Sequence, residues 1–338
     1  MSLSFGQLTA TLSACALLAA AVDATAATSI PAPDNLSAEA QAYLDKARVG
    51  AIDGGDLASD AERLARMRKA LGNMFLRLGQ EIDPNVYLTR QNLGSVDGFW
   101  INSKAPERPG PVIVYLHGGG RILGSAETNL GSAIRIAAAS GFPVLSIEYR
   151  LAPEHPFPAD IEDALAAYRW LLDNGYAASQ IGIYGDSAGG SLSLALTLAA
   201  TMEGLPAPGA VAVLSPSVDY TDAGDTRITL RDVDPVLRTM SAGSHDAYVG
   251  DADVRNPLIS PIFGDYEDFP PLLIQVGTRE ILLSDSIRLA RRARAVDVDV
   301  TLDVWDGMWH GWHENSSVPE AEQACREIAA FFAERLSD

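Results

Sequence analysis

Positive charge is scarce in this 338-residue chain: 25 lysines and arginines stand against 44 acids, a formal net charge of −19. Phosphate backbones and anionic membrane surfaces are bound through clustered Lys and Arg, so nucleic acid and anionic membranes are not expected as partners. Cysteine is scarcer, with only Cys15 and Cys325. Cys15 falls in the leader described below, which leaves one thiol in the folded part and no disulfide. Cys325 sits in a helical stretch with no histidine or glycine-rich turn beside it and reads as core. Long apolar runs are missing as well. Leu12–Val22 is too short to cross a bilayer and nothing later comes closer, so no stable membrane insertion is expected.

What is present begins with a leader. The run Leu12–Val22 is alanine-rich and leads to Ala24-Thr25-Ala26, a small-residue cleavage pattern. Residues 1–27 therefore read as a secretory signal cut near Ala26 or Ala27. The basic start of such signals is missing, because no Lys or Arg precedes Lys46. The expected location is periplasmic or secreted, and cytoplasmic if the leader does not function.

Helical spacing follows over about 37–46 and 60–78, and residues 28–85 are expected to form N-terminal cap helices. In the second, Leu64, Met67, Leu71, Met74, Phe75 and Leu78 share one face, with Arg63, Arg66, Arg68 and Lys69 opposite. That face suits an apolar lid over a site better than a helix lying on a membrane. Residues 86–91 and 96–102 alternate like an antiparallel pair. Buried-type runs follow at about 111–116, 143–148, 181–184, 211–214, 272–276 and 298–305. Helical stretches at about 127–140, 159–174, 187–202, 284–295 and 319–336 separate and close them. Strands alternating with helices at this spacing predict an α/β fold with a mostly parallel central sheet flanked by helices. The catalytic domain is expected over 86–338, with a polar, Asp-rich insertion at about 216–270 that joins the cap.

Three places carry chemistry. The run 181–184 breaks into Gly185-Asp186-Ser187-Ala188-Gly189 and opens a helix. A serine on such a strand–turn–helix is held strained with its hydroxyl above the sheet, which suits a nucleophile. The five-residue pattern alone is weak; the flanking strand and helix carry it. His117-Gly118-Gly119-Gly120 directly follows the first parallel-type strand, and bare backbone there suits an oxyanion hole. Gly118, Gly119 and Ala188 are the expected N–H donors, with His117 bracing the loop. A nucleotide loop is disfavoured, since neither Gly-Lys-Ser/Thr nor Gly-x-Gly-x-x-Gly occurs there. A base and an acid should follow in chain order. Trp305-Asp306-Gly307-Met308-Trp309-His310 is a strand end and turn delivering His310 as base, with His313 the alternative; His155 and His245 lack that context. Gly277-Thr278-Arg279-Glu280 puts Glu280 on the loop leaving a strand as the acid, with Asp285 the alternative and helix capping its other role.

With Tyr149-Arg150-Leu151-Ala152-Pro153-Glu154, these motifs resemble the bacterial hormone-sensitive-lipase-like (family IV) esterases, in their Gly-Asp-Ser-Ala-Gly subgroup, over about 31–336. The resemblance implies an α/β-hydrolase fold with a helical cap and a serine carboxylesterase acting on small acyl esters of short to medium chain length. It implies no metal and no cofactor, leaves a homodimer open, and gives the Tyr149–Glu154 segment a bracing role. Glu280 stands where the family often has Asp. Arg121 stands where many relatives carry an aromatic or apolar residue; it could line the pocket and favour acidic esters, or point outward in a salt bridge. The same site could serve acyl transfer to an alcohol or amine. A ligand-binding homologue without hydrolysis is the reading from another class, and the presence of His310 counts against it.

Overall fold

The computed structural model describes residues 30–47, 60–237 and 242–336. The leader, its cleavage point and Cys15 lie outside the described residues. Eight strands form one sheet: β1 (Leu88–Asn92), β2 (Asp97–Ile101), β3 (Val112–Leu116), β4 (Val144–Ile147), β5 (Ile181–Asp186), β6 (Ala210–Leu214), β7 (Leu272–Gly277) and β8 (Val300–Trp305). Their order is β1-β2-β4-β3-β5-β6-β7-β8. The β1–β2 and β2–β4 pairs are antiparallel, and every pair from β4 through β3 to β8 is parallel.

Parallel strands buried on both faces need apolar residues at every position, not at alternate ones. β3 supplies them. Val112, Val114 and Leu116 face a core shared with α4 (Ala159–Asp173), α5 (Ala188–Met202) and α8 (Leu283–Arg294). Ile113 and Tyr115 face the opposite core, with α3 (Gly131–Ser140) and α9 (Pro319–Arg335). Cys325 is buried in that second core as a free thiol, and burial lifts its pKa.

Two further clusters sit over the carboxyl ends of the strands. α1 (Ala38–Lys46) contributes Ala40 to a cluster with Met308, Trp309 and Trp312, and Tyr43 stacks on Trp309 at 4.0 Å. α2 (Ala61–Ile82) inserts Leu64 among Ile122, Leu123, Tyr220, Tyr248 and Ile259. Asp60 caps α2 by accepting from the Arg63 N–H. Among the described residues, the insertion after β6 carries the short α6 (Thr226–Thr229), α7 (Ala242–Val249) and a 3₁₀ turn at Pro261–Phe263.

Three expectations shift. α2 runs four residues past 78, because Ile82 continues the spacing of Leu78. α3 begins at Gly131 and not near 127: the Ser125 carbonyl accepts from the Thr128 and Asn129 N–H groups, and Asn129 Oδ1 accepts from the Ser125 N–H. Those contacts close one isolated turn that ends at Asn129, ahead of the helix. Arg68, expected on the solvent face of α2, turns inward. Its guanidinium donates to the Ile122 and Ala152 carbonyls (both 2.8 Å) and holds both oxygens of Glu154.

Candidate active site

Ser187 follows β5 directly, at φ 54° and ψ −119°. A side-chain-bearing residue held at positive φ is strained and persists only where its surroundings fix it. Here its N–H donates to the Leu214 carbonyl at 2.7 Å, and the helix behind it sits hard against β3. A Cβ on Gly189 would lie 1.9 Å from the Leu116 carbonyl oxygen, so only glycine allows that approach.

Ser187 Oγ lies 2.9 Å from His310 Nε2, and His310 Nδ1 lies 3.2 Å from Glu280 Oε2. The other oxygen of Glu280 accepts from Ser215 Oγ (2.8 Å) and from the Gly277 N–H (2.6 Å). With both oxygens occupied, the carboxylate has one available orientation. Burial acts to lower the His310 pKa, but the bond to Glu280 and the charges of Glu280, Asp234 and Asp186 outweigh it and hold the imidazole above its ordinary value. This arrangement can take a proton from the serine and stabilise the resulting imidazolium.

The alternatives go elsewhere. Asp285, in the first turn of α8, accepts from the Val218 N–H and pairs with buried Arg227 at 2.8 Å. His313 is buried against Gln275 Oε1 at 3.1 Å, and burial with the charges of His310 and Arg135 keeps its pKa well below normal. His155 is exposed, and the side chain of His245 lies outside the described residues. Ser215 was not singled out from the sequence. Its place just past β6 was the available signal, since sites collect at the carboxyl ends of parallel strands.

The glycine loop departs from expectation at one residue. The Gly118 N–H donates to Asp186 Oδ1 at 2.9 Å, and that oxygen also accepts from the Tyr115 hydroxyl at 2.8 Å. Gly118 is thus committed to a carboxylate and has no N–H to offer a ligand. Among the described residues nothing accepts from the Gly119, Gly120 or Ala188 N–H groups. Gly119 and Gly120 adopt φ 120° and 64°, conformations that side chains rarely tolerate. His117 braces the loop: Tyr149 stacks on its ring at 4.3 Å and donates to its carbonyl at 2.5 Å. Burial pushes the His117 pKa down to about 4, so it stays neutral.

Arg121 does not point outward. It is 1% exposed, paired with buried Asp160 and stacked over the Tyr248 ring at 5.1 Å. The Tyr248 hydroxyl completes the group by donating to Asp160. The Arg121 charge is balanced inside the protein.

An α/β-hydrolase-fold family model matches residues 113–314, which include all of these groups. An acetyl-hydrolase of Streptomyces hygroscopicus is 34% identical over 79% of this chain and 86% of its own length. An esterase of Acinetobacter venetianus is 34% identical over 74% of this chain and 82% of its own. Among solved structures, an esterase from the bacterial hormone-sensitive lipase family superposes with a TM-score of 0.76 at 40% identity, covering 81% of this chain and 92% of that one.

Proposed function

This chain belongs to the α/β-hydrolase-fold family, among esterases of the bacterial hormone-sensitive-lipase kind, and on that footing we propose that Ser187, His310 and Glu280 hydrolyse short- to medium-chain acyl esters. His310 Nε2 takes the Ser187 proton as Oγ attacks the ester carbonyl. Glu280 orients the ring through Nδ1 and stabilises the imidazolium. The developing oxyanion is held by the N–H groups of Gly119, Gly120 and Ala188; Gly120 replaces the committed Gly118. His310 then protonates the leaving alcohol, and water attacks the acyl-enzyme by the same route in reverse.

The observation that carries this reading is the continuous chain from Ser187 Oγ through His310 to Glu280, closed at 2.9 and 3.2 Å. The name of the Streptomyces relative, acetyl-hydrolase, supports the short end of the acyl range. Ser187→Ala should lower hydrolysis of p-nitrophenyl acetate by about 10⁴-fold or more while circular dichroism stays native. Retained turnover overturns the mechanism. A series from acetate to dodecanoate tests the acyl limit, with kcat/KM expected to fall toward the long chains.

A further inference from the structure

Asp234 lies in the insertion, far in sequence from Ser187, His310 and Glu280, and its side chain is fully buried. Its Oδ1 accepts from the N–H groups of Val236 and Leu237, both at 2.8 Å. Its Oδ2 accepts from the N–H of Ile281 at 2.9 Å. Ile281 is the residue after Glu280, so one carboxylate bonds the insertion to the loop that presents the acid. The turn it closes, 234–237, also carries Val236 into the apolar cluster of Met308, Trp309 and Trp312, which flanks His310 on both sides in sequence.

We infer that Asp234 is a positioning residue for the Glu280–His310 pair: its carboxylate fastens the Glu280 loop to the insertion, and the turn it closes bears on the segment that carries His310. The inference rests on the esterase reading above. A buried carboxylate with three N–H donors is held in place by its whole coordination, and losing one oxygen's role frees the attached loop. Its charge acts in the same direction. Glu280 from the loop after β7, Asp234 from the insertion and Asp186 from the end of β5 all favour the charged form of His310, while the same segment carries Asp306, His313 and Glu314, and Arg135 of α3 donates to the His313 carbonyl and disfavours a charge there. Burial lifts the Asp234 carboxyl, while the His310 charge and the three N–H donors oppose that lift.

The experiment uses the full chain carrying Asp234→Asn, with Asp234→Ser as the second variant, on a chromogenic acetyl ester. Rates are expressed per active site titrated with a phosphonate ester, so that misfolded molecules do not count. Expected are a kcat lower by about 10- to 100-fold with KM changed less than about threefold, the scale of a small misplacement of a reacting group. The acid limb of kcat should also move to lower pH by about half a unit, because a negative charge that favours the imidazolium has gone. A limb that stays in place, or a kcat within twofold of the parent, overturns the inference. Should neither variant give titratable sites, Val236→Ala decides, since it keeps the carboxylate and loosens only the contact near Trp309. A kcat at least about threefold lower at unchanged KM supports the inference, and an unchanged kcat overturns it. Parent turnover and its loss in Ser187→Ala are measured first: no parent turnover strikes the esterase reading, whereas an unmoved limb in an active parent strikes only the role of Asp234.

Discussion

Glu280 and Asp285 lie five positions apart, and both are fully buried, but one meets an imidazole and the other a guanidinium. Alanine at the two positions should therefore fail differently. Glu280→Ala should cut kcat/KM by about 10³- to 10⁴-fold with a modest change in melting temperature. Asp285→Ala leaves Arg227 buried without its main counter-charge and should cost about 3–5 kcal/mol of stability, with near-parental activity per folded molecule. Activity assays paired with urea unfolding check both, and the reverse pattern would reassign the acid. With neutral His310 as the proposed base and its pKa raised, the acid limb should lie above the ordinary histidine value near 6.5 and move down in Glu280→Gln. Strand-then-turn context in the sequence singled out Ser187, Glu280 and His310, three side chains that the fold brings into hydrogen-bond contact. Gly118 was misjudged because three successive glycines look alike in sequence, and only the Asp186 carboxylate distinguishes the first. Ser215 and Asp234 left no motif, since their hydrogen bonds to Glu280 and to the Ile281 N–H are contacts that only the fold makes.

At the scale of elements, α2 was readable from its apolar spacing, and its packing through Leu64 follows that spacing. Its attachment was not, because a charge on a helix face reads as solvated until a partner is known. Arg68 finds two carbonyls and Glu154, joining α2 to the loop after the glycines and to the Tyr149–Glu154 segment. Arg68→Ala should cost about 1–3 kcal/mol and, if α2 covers the site as proposed from the sequence, raise KM several-fold with kcat less affected, because α2 is loosened and Ser187, His310 and Glu280 are untouched. Arg68→Lys should recover little, since an ammonium cannot span the carbonyls and the carboxylate together. Thermal melts and Michaelis curves on the same preparations check both.

Over the whole molecule, the acidic balance extends inward. Glu314 is buried behind the site, its Oε1 accepting from the Ser132 N–H, and burial with the nearby Asp186 charge pushes its pKa up to about 7. Partly buried Glu148 is pushed up to about 7 as well, again mainly by burial. Between about pH 4.5 and 7 the unfolded chain has released these protons while the folded chain keeps them, so stability falls as pH rises through that window. Glu314→Gln keeps the acceptor for Ser132 and removes the titration. It should flatten the fall and add up to about 3 kcal/mol at pH 8 relative to the parent. Urea unfolding at pH 5 and pH 8 checks it; an unchanged pH slope would show that Glu314 is not the group responsible. The sheet and its flanking helices were legible as alternating runs, whereas the buried acids were not, because an acid reads as solvated until the fold encloses it.

Asp186 precedes Ser187 by one peptide bond, and its carboxylate holds Gly118, which precedes Gly119 by one peptide bond. The distance between the proposed attacking oxygen and its first proposed oxyanion donor is therefore spanned by a handful of covalent bonds and one hydrogen bond of 2.9 Å. That bond ties the turn carrying Ser187 to the loop carrying Gly119 and Gly120. On the proposed mechanism, changes confined to α1 or α2 should alter which esters are accepted while the geometry of attack stays the same.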